Sequence, residues 1–343
     1  MEKNANHPRF QQHQLKGDIN LKQKKNHRPV KFSKKGAKIT AGLLCAVLAI
    51  GAAGGGIAYT IRGKLPDEAP DAAFTEGLAE EEAERRNDGD TRVMSANLLV
   101  HYKSWGGSDA APRAQQFIEV LKTFTPDVAG LQEVSGQWFC LLNRNMPDGY
   151  RFLHPTATLF GRFTTMIYNE NTVRVLDSGS QTYTRGTDAR MRRIEWALFE
   201  RLDTGRQFVV TNTHLDLLHE GSIEEELPIL QSEAEELIAF SNELKEQYGC
   251  PVFSAGDYNA MEDTPYTKEV DAKEIYALLA DSLTDAKTAA LRAKSGLAWS
   301  LSEPVYDHIF VNGEVTISQY QLLSNSYMNE LSDHYPIFAD FSL

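Results

Sequence analysis

Residues 251–260 read PVFSAGDYNA, an apolar, β-branched run that stops at Gly256 and hands over to Asp257, Tyr258 and Asn259. Such a run suits a short buried strand, and its polar end marks where the strand enters a loop. Similar runs lie at 93–100, 128–131, 164–168, 195–202, 207–212, 307–311 and 336–341, with Gly, Asn, Asp or Pro between them. Residues 111–124 carry Phe117, Val120, Leu121 and Phe124 at helical spacing, and residues 224–248 carry a stripe of Leu227, Leu230, Leu237 and Leu244. Strands interleaved with amphipathic helices predict an α/β sandwich in which helices cover packed sheets.

Several strand ends bear acid, amide or imidazole groups. Asn97 lies in RVMSANLL, Glu133 closes PDVAGLQEV, His214 follows VVTNT, and Asp257 and Asn259 follow PVFSAG. Asp307 and His308 lie in VYDHIFV, and Asp333 and His334 open SDHYPIF. One such residue is most simply a cap or a turn. Six strand ends of this kind point to a shared catalytic surface, because strand-to-loop transitions are where sheets present reactive groups. Alternation along the strand sends His308 to the opposite sheet face from Asp307.

The rest of the chain sets the context. It has 343 residues, 42% of them hydrophobic, with 35 Lys and Arg against 47 Asp and Glu for a net charge of −12. That composition excludes a wholly disordered or collagen-like chain. Residues 1–61 carry +9, residues 62–91 carry −6 and residues 92–343 carry −15. Residues 39–61, ITAGLLCAVLAIGAAGGGIAYTI, hold no charge over 23 positions. At about 1.5 Å per residue this spans a hydrocarbon core of roughly 30 Å, so it reads as a single N-terminal transmembrane helix and signal anchor. Lys31, Lys34, Lys35 and Lys38 flank it on one side, which assigns the N-terminus to the cytoplasm and the chain after residue 62 to the outside of the cell membrane. The expected domains are a basic cytoplasmic tail (1–38), the anchor (39–61), an acidic linker that reads as a solvated spacer (62–90) and a catalytic domain (91–343). Three cysteines with no C-x-x-C spacing argue against a zinc knuckle or a disulfide framework, and leave Cys140 with Cys250 as a pair still open.

LQEV, NTHLD, GDYNA, YDHIFV and SDHYP occur in the order and approximate spacing of the endonuclease/exonuclease/phosphatase superfamily, which this chain resembles over nearly all of residues 91–343. The resemblance implies a four-layer α/β sandwich, two packed mixed β-sheets flanked by helices, and metal-dependent phosphoester hydrolysis. It also implies that Asn97 accompanies Glu133 near the metal, and that Arg193 matches a position where secreted members place a phosphate-binding arginine. Arg192 is adjacent, and a pair that merely solvates a strand start reads equally well. Leu99 stands where abasic-site endonucleases carry an acid, which argues against that activity.

The chemistry follows from the residue types as well. Phosphoester hydrolysis needs an activated water, a countercharge for the phosphoryl oxygens and help for the leaving oxygen. Glu133 suits Mg²⁺ or Mn²⁺, which prefer oxygen ligands, and Asp333 lies close enough in sequence to His334 to join the metal shell. His334 is the expected general base, with Asp307 fixing its tautomer. Asp257 and Asn259 are expected to hold the attacking water and a phosphoryl oxygen, and His214 to donate to the phosphate. Asp216 reads as a loop residue, and 101–109, HYKSWGGSD, as a segment whose Tyr102 and Trp105 can line the substrate site.

A domain at −15 lacks the cationic surplus that duplex DNA binding draws on, although Arg151, Arg162, Arg185, Arg190, Arg192 and Arg193 concentrate in the middle third of the chain. The expected substrate is therefore a small or lipid-borne phosphate ester. An extracellular nuclease on DNA or RNA is the alternative, and a catalytically dead binding module the less favoured one. The expected partners are that substrate and the membrane through residues 39–61, with no protein partner.

Overall fold

The computed structural model describes residues 64–70, 72–81, 86–188, 191–265, 267–295, 305–323, 328 and 330–343. The uncharged stretch 39–61 and the basic tail before it lie outside the described residues, so the expected anchor does too. Among the described residues no helix is long and apolar enough to cross a membrane.

Seven helices are interleaved with thirteen strands among the described residues: α1 (Ala72–Glu81), β1 (Thr91–Asn97), α2 (Ala110–Phe124), β2 (Val128–Gln132), α3 (Gly136–Asn145), β3 (Tyr150–Phe152), α4 (Pro155–Leu159), β4 (Thr165–Asn169), β5 (Val173–Thr182), β6 (Arg193–Arg201), β7 (Gln207–His214), α5 (Ile223–Tyr248), β8 (Val252–Asp257), α6 (Lys273–Ser282), β9 (Thr284–Asp285), α7 (Ala286–Ala289), β10 (Ala293–Ser295), β11 (Asp307–Asn312), β12 (Thr316–Leu322) and β13 (Ile337–Ser342). The strands form a seven-stranded sheet, β10-β12-β13-β1-β2-β4-β3, and a six-stranded sheet, β5-β6-β7-β8-β11-β9. Both are mixed: β1 pairs parallel with β2 and β7 parallel with β8, while most other neighbours run antiparallel.

Alternation along each strand divides the side chains between two cores. Val93, Val128, Val210, Phe253, Ala255, Ile309, Ala339 and Phe341 meet between the sheets, where the Phe253 and Phe341 rings stack 4.1 Å apart. Met94, Ala96, Ala129, Leu131 and Phe338 face outward, under α2 and α3. On the other sheet Ile194 and Phe310 face outward, under α5 and α6. The order of layers is helices, sheet, sheet, helices, which gives the α/β sandwich.

One segment departs from its sequence reading. The acidic stretch is a packed element where α1 runs, because Phe74 and Leu78 are buried in the same cluster as α2. Leu65 packs on that cluster and the Glu68 carbonyl accepts from Gln115 Nε2 at 2.8 Å. Two large apolar side chains hide easily in a stretch dominated by Glu, Asp and Ala. The two described cysteines lie apart: Cys140 is on α3, packed in the core of the first sheet, and Cys250 packs against the other sheet's outer face, so they do not pair with each other.

The sandwich has two unlike ends. β1, β2, β7 and β8 finish at the end where β6, β11 and β13 begin. At the opposite end lie the short turns between β6 and β7 and between β11 and β12.

Candidate active site

Register places the polar strand ends together. His214 pairs with Asp257 across the parallel β7–β8 ladder, and Asp257 pairs with Asp307 across the antiparallel β8–β11 ladder, so the three residues form a row across one sheet. From the other sheet, β1 ends in Asn97 and β2 in Gln132, with Glu133 the next residue. The loop before β13 supplies Asp333 and His334. All point to one end of the cleft between the sheets.

Asp257 Oδ2 is the meeting point. It accepts from Asn97 Nδ2 at 2.9 Å, lies 3.3 Å from His214 Nε2 and 3.8 Å from His334 Nε2. Asn97 Nδ2 also donates to Glu133 Oε1 at 3.2 Å, while its Oδ1 accepts from Leu99 N. The Asn97 amide thus turns its nitrogen, not its oxygen, toward the carboxylates and joins them across the sandwich. Val100 N donates to Glu133 Oε2 at 2.9 Å. Asn259 N donates to Asp257 Oδ1, and its Nδ2 to the Leu215 carbonyl, tying the β8 exit to the β7 exit.

His334 Nδ1 lies 2.6 Å from Asp307 Oδ2, leaving Nε2 to face Asp257. Burial alone would lower the His334 pKa, but the charges of Asp307, Asp257 and Asp333 and the Asp307 hydrogen bond hold it well above the usual histidine value. His214 is the opposite case. Burial, then the charges of Arg192 and His334, push its pKa well below that value, so it is a neutral imidazole at neutral pH. Two histidines on one aspartate are therefore driven in opposite directions.

Burial, and next the charges of Asp257 and Asp333, raise the Glu133 pKa, against hydrogen bonds from Val100 and Asn97. Neither Glu133 nor Asp333 has a cationic ion-pair partner among the described residues. Crowded, desolvated carboxylate oxygens are a donor set that fits a hard divalent cation. No group of three or more His, Cys, Asp and Glu side chains converges as a ready metal cluster among the described residues.

Backbone and second-layer contacts fix these positions. Leu99, Glu133 and Asn259 all adopt left-handed φ values of 52, 61 and 47°, a conformation that Asn tolerates but that is unfavourable for Leu99 and Glu133. Arg113 on α2 is buried and donates to the carbonyls of Leu98 (2.5 Å), Leu99 (3.1 Å), Val100 (3.3 Å) and Leu331 (3.2 Å), binding the loop after β1 to the loop that carries His334. Ser332 Oγ donates to the Asn97 carbonyl at 2.7 Å. Between the sheets, Gln132 Nε2 donates to Asn212 Oδ1 at 2.6 Å, a polar floor below the site. None of these follows from the sequence reading, although Gln132 and Asn212 stand inside LQEV and NTHLD, where a polar residue on a buried strand is itself a signal.

Asp216, read as a loop residue, is a hub. It is buried, accepts from Arg192 Nε and Thr187 Oγ1 at 2.7 Å each, and its N–H donates to Glu233 Oε2. Of the adjacent arginines, Arg192 is held by Asp216, and Arg193 lies one residue beyond the Ile194–Thr213 pair, beside His214. His308 faces away from the cleft, with Nε2 2.9 Å from the Ala260 carbonyl. Tyr102 is partly exposed and its ring lies 6.5 Å from that of Phe163, next to the Glu133 loop.

No family model and no curated protein matches the chain. Solved structures do match. An endonuclease/exonuclease/phosphatase from Bacteroides vulgatus is 21% identical, with 74% of this chain and 99% of that one covered at a TM-score of 0.58. A mannosyl-6-phosphatase from Bacteroides thetaiotaomicron is 17% identical, with 74% and 100% covered at 0.58. D. rerio TDP2, complexed with a single strand DNA product, is 19% identical, with 75% and 100% covered at 0.54. At these identities the likeness is one of fold, and the fold is that of the endonuclease/exonuclease/phosphatase superfamily.

Proposed function

We propose that this chain, built on the endonuclease/exonuclease/phosphatase fold, is a divalent-metal-dependent phosphoester hydrolase acting on a small or lipid-borne phosphate ester. Residues 39–61 would hold it at the cell membrane with the catalytic domain outside. The observation that carries the hydrolase reading is the single Asp257 carboxylate set between a neutral histidine, 3.3 Å away, and a histidine oriented by Asp307, 3.8 Å away.

In this reading His334 Nε2 takes a proton from the attacking water and Asp307 stabilises the imidazolium that forms. Asp257 and Asn259 orient the water. His214, neutral and buried, donates a hydrogen bond to a phosphoryl oxygen, and Arg193 adds a charged donor beside it. Glu133, with Asp333, would hold Mg²⁺ or Mn²⁺, which when bound supplies positive charge to the phosphoryl oxygens and the leaving oxygen, while Asn97, expected near the metal, has its oxygen taken by Leu99 N and its nitrogen on the carboxylates and so acts as their spacer rather than as a ligand. The Asn97 amide keeps Glu133 and Asp257 at a fixed separation.

A nucleic-acid substrate is the second reading, favoured by the single strand DNA product in the D. rerio TDP2 structure and opposed by the −15 charge of residues 92–343. The test is phosphate release from monoesters and diesters, and nicking of supercoiled plasmid, by the full chain with Mg²⁺, against EDTA and His334→Ala. Monoester or lipid-headgroup hydrolysis that both controls abolish supports the first reading. Nicking under the same controls replaces it with the second, and activity that survives His334→Ala removes the assigned base.

A further inference from the structure

The exposed apolar side chains are not spread evenly over the domain. Among the described residues, Tyr102, Leu159, Phe160 and Leu217 are exposed at the cleft end, on the connections after β1, β3 and β7. Leu202 and Leu291 stand at the far end and Leu176 on the edge strand β5, each alone, as single surface leucines commonly do. Phe160 is 81% exposed, and Leu159 just before it is 40% exposed. A phenylalanine so fully in water gives the fold nothing and points to a surface that is apolar elsewhere.

This tip is fastened beside the catalytic cleft. Phe160 N donates to the Thr156 carbonyl at 3.2 Å and Arg162 N to the Ala157 carbonyl at 3.1 Å, which closes the turn around α4. Val134 N, directly after Glu133, donates to the Phe163 carbonyl at 2.8 Å. Arg162 Nη1 reaches Glu195 Oε1 on the other sheet at 3.3 Å. On the loop after β1, His101 Nδ1 lies 2.6 Å from Ser135 Oγ, and the His101 ring lies 4.0 Å from that of Tyr102. Both loops thus rest on the turn at 133–135, and Phe160, Leu159 and Tyr102 keep a fixed place on the rim beside Glu133.

The chain enters the domain in the same half. α2 starts at the cleft end, where Arg113 holds the loop after β1, and finishes at the far end before β2. The Glu68 carbonyl accepts from Gln115, on the second turn of α2, whereas Arg86 reaches Asp127, beyond its last turn. Residues 68–86 therefore descend along α2 from the cleft half to the far end. The uncharged stretch 39–61 ends seven residues before Glu68, and seven extended residues reach at most roughly 25 Å. A bilayer that holds residue 61 thus lies within that distance of the cleft half.

Charge agrees with the apolar pattern. The connections 98–109 and 153–163 carry Lys103 and Arg162 against Asp109, a balance of +1 in a domain at −15. The rim that bears the apolar tip is the part of this acidic domain that an anionic lipid surface does not repel.

We infer that the cleft end of the sandwich faces a phospholipid bilayer, with Phe160 and Leu159 entering its interfacial layer and Tyr102 beside them at headgroup level, so that the phosphate ester offered to the cleft is borne on a lipid. The orientation rests on residues 39–61 as a membrane anchor, and the substrate class on the hydrolase reading.

The experiment uses the full chain reconstituted in vesicles of phosphatidylcholine and phosphatidylglycerol whose acyl chains are brominated near the headgroup. Tryptophan emission is compared for wild type, Phe160→Trp and, at the far end, Leu291→Trp, and association with the vesicles is read by flotation. The emission added at position 160 dims by roughly half, and that added at position 291 stays as bright as in unbrominated vesicles. Phosphate release with Mg²⁺ is then followed from phosphatidic acid in the vesicles and from p-nitrophenyl phosphate in solution. Phe160→Asp slows the first about tenfold and leaves the second unchanged. A chain that floats while position 160 stays bright overturns the surface and leaves the hydrolase standing. An unchanged rate on phosphatidic acid in Phe160→Asp, or an equal loss on both esters, overturns the lipid substrate. Quenching at position 160 with neither ester hydrolysed keeps the surface and counts against the hydrolase reading. A chain that does not float overturns the anchor and the surface together.

Discussion

Asn97 on the first strand of one sheet donates to Asp257 on the neighbouring sheet at 2.9 Å, and the same nitrogen reaches Glu133 at 3.2 Å. One amide therefore sets the distance between two carboxylates that would otherwise repel. Asn97→Ala leaves a buried aspartate short of a donor, which costs roughly 1–3 kcal/mol. Urea unfolding in EDTA is expected to show that loss, and kcat to fall about 100-fold, comparable to the removal of other positioning hydrogen bonds.

Asp307 both orients His334 and raises its pKa. A base acts when deprotonated, so the rate should climb with pH on an acid limb lying above the usual histidine value. Asp307→Asn removes the charge, so the limb moves to lower pH while the plateau falls by about 10³ or more. A pH–rate profile that keeps its limb in the variant would assign the titration to another group.

The charge of Asp333 adds to the cost of ionising Glu133. Mg²⁺ at tenfold over its Kd should stabilise the folded chain by about 1.4 kcal/mol through mass action. Glu133→Gln should abolish the accompanying rise in Tm, a readout independent of turnover.

Buried Glu233 has its pKa pushed up to about 8, chiefly by desolvation and next by Asp216. Its folded pKa exceeds the unfolded one, so the unfolded state loses its proton first and stability falls as pH rises from about 4.5 toward 8. The loss is complete above that window. Glu233→Gln should therefore gain in Tm relative to wild type as pH rises from 5 to 8, and a constant difference would contradict the assignment.

Phe74 is buried under α2 although it lies in the acidic stretch. Phe74→Ala is expected to destabilise the domain by roughly 3–5 kcal/mol, as for other large-to-small core changes. A chain cut to begin at Thr91 should lose stability for the same reason, with both losses measured by chemical denaturation.

The eight apolar runs all became strands, and the two apolar stripes became α2 and α5, because burial on one or both faces writes itself into residue pattern. β5 escaped notice because an edge strand reading VRVLDSGSQT has little to bury. α1 escaped because two apolar residues suffice where a neighbouring helix supplies the rest of the core. In the site, side chains at strand ends were legible by type and position. Their supports were not: Arg113 acts through carbonyl oxygens that no side-chain pattern announces, and Arg162 meets Glu195 only because two sheets happen to face each other there. Asp216 looked idle for want of a reaction to perform, yet it anchors the segment that aims Arg193.

Every reactive group sits at one end of the sandwich, and the turns at 202–206 and 313–315 sit at the other. That far end is the natural place for handles. A fluorophore, an affinity peptide or a surface attachment introduced there leaves the cleft open, so the chain can be immobilised or observed at work from its blind side.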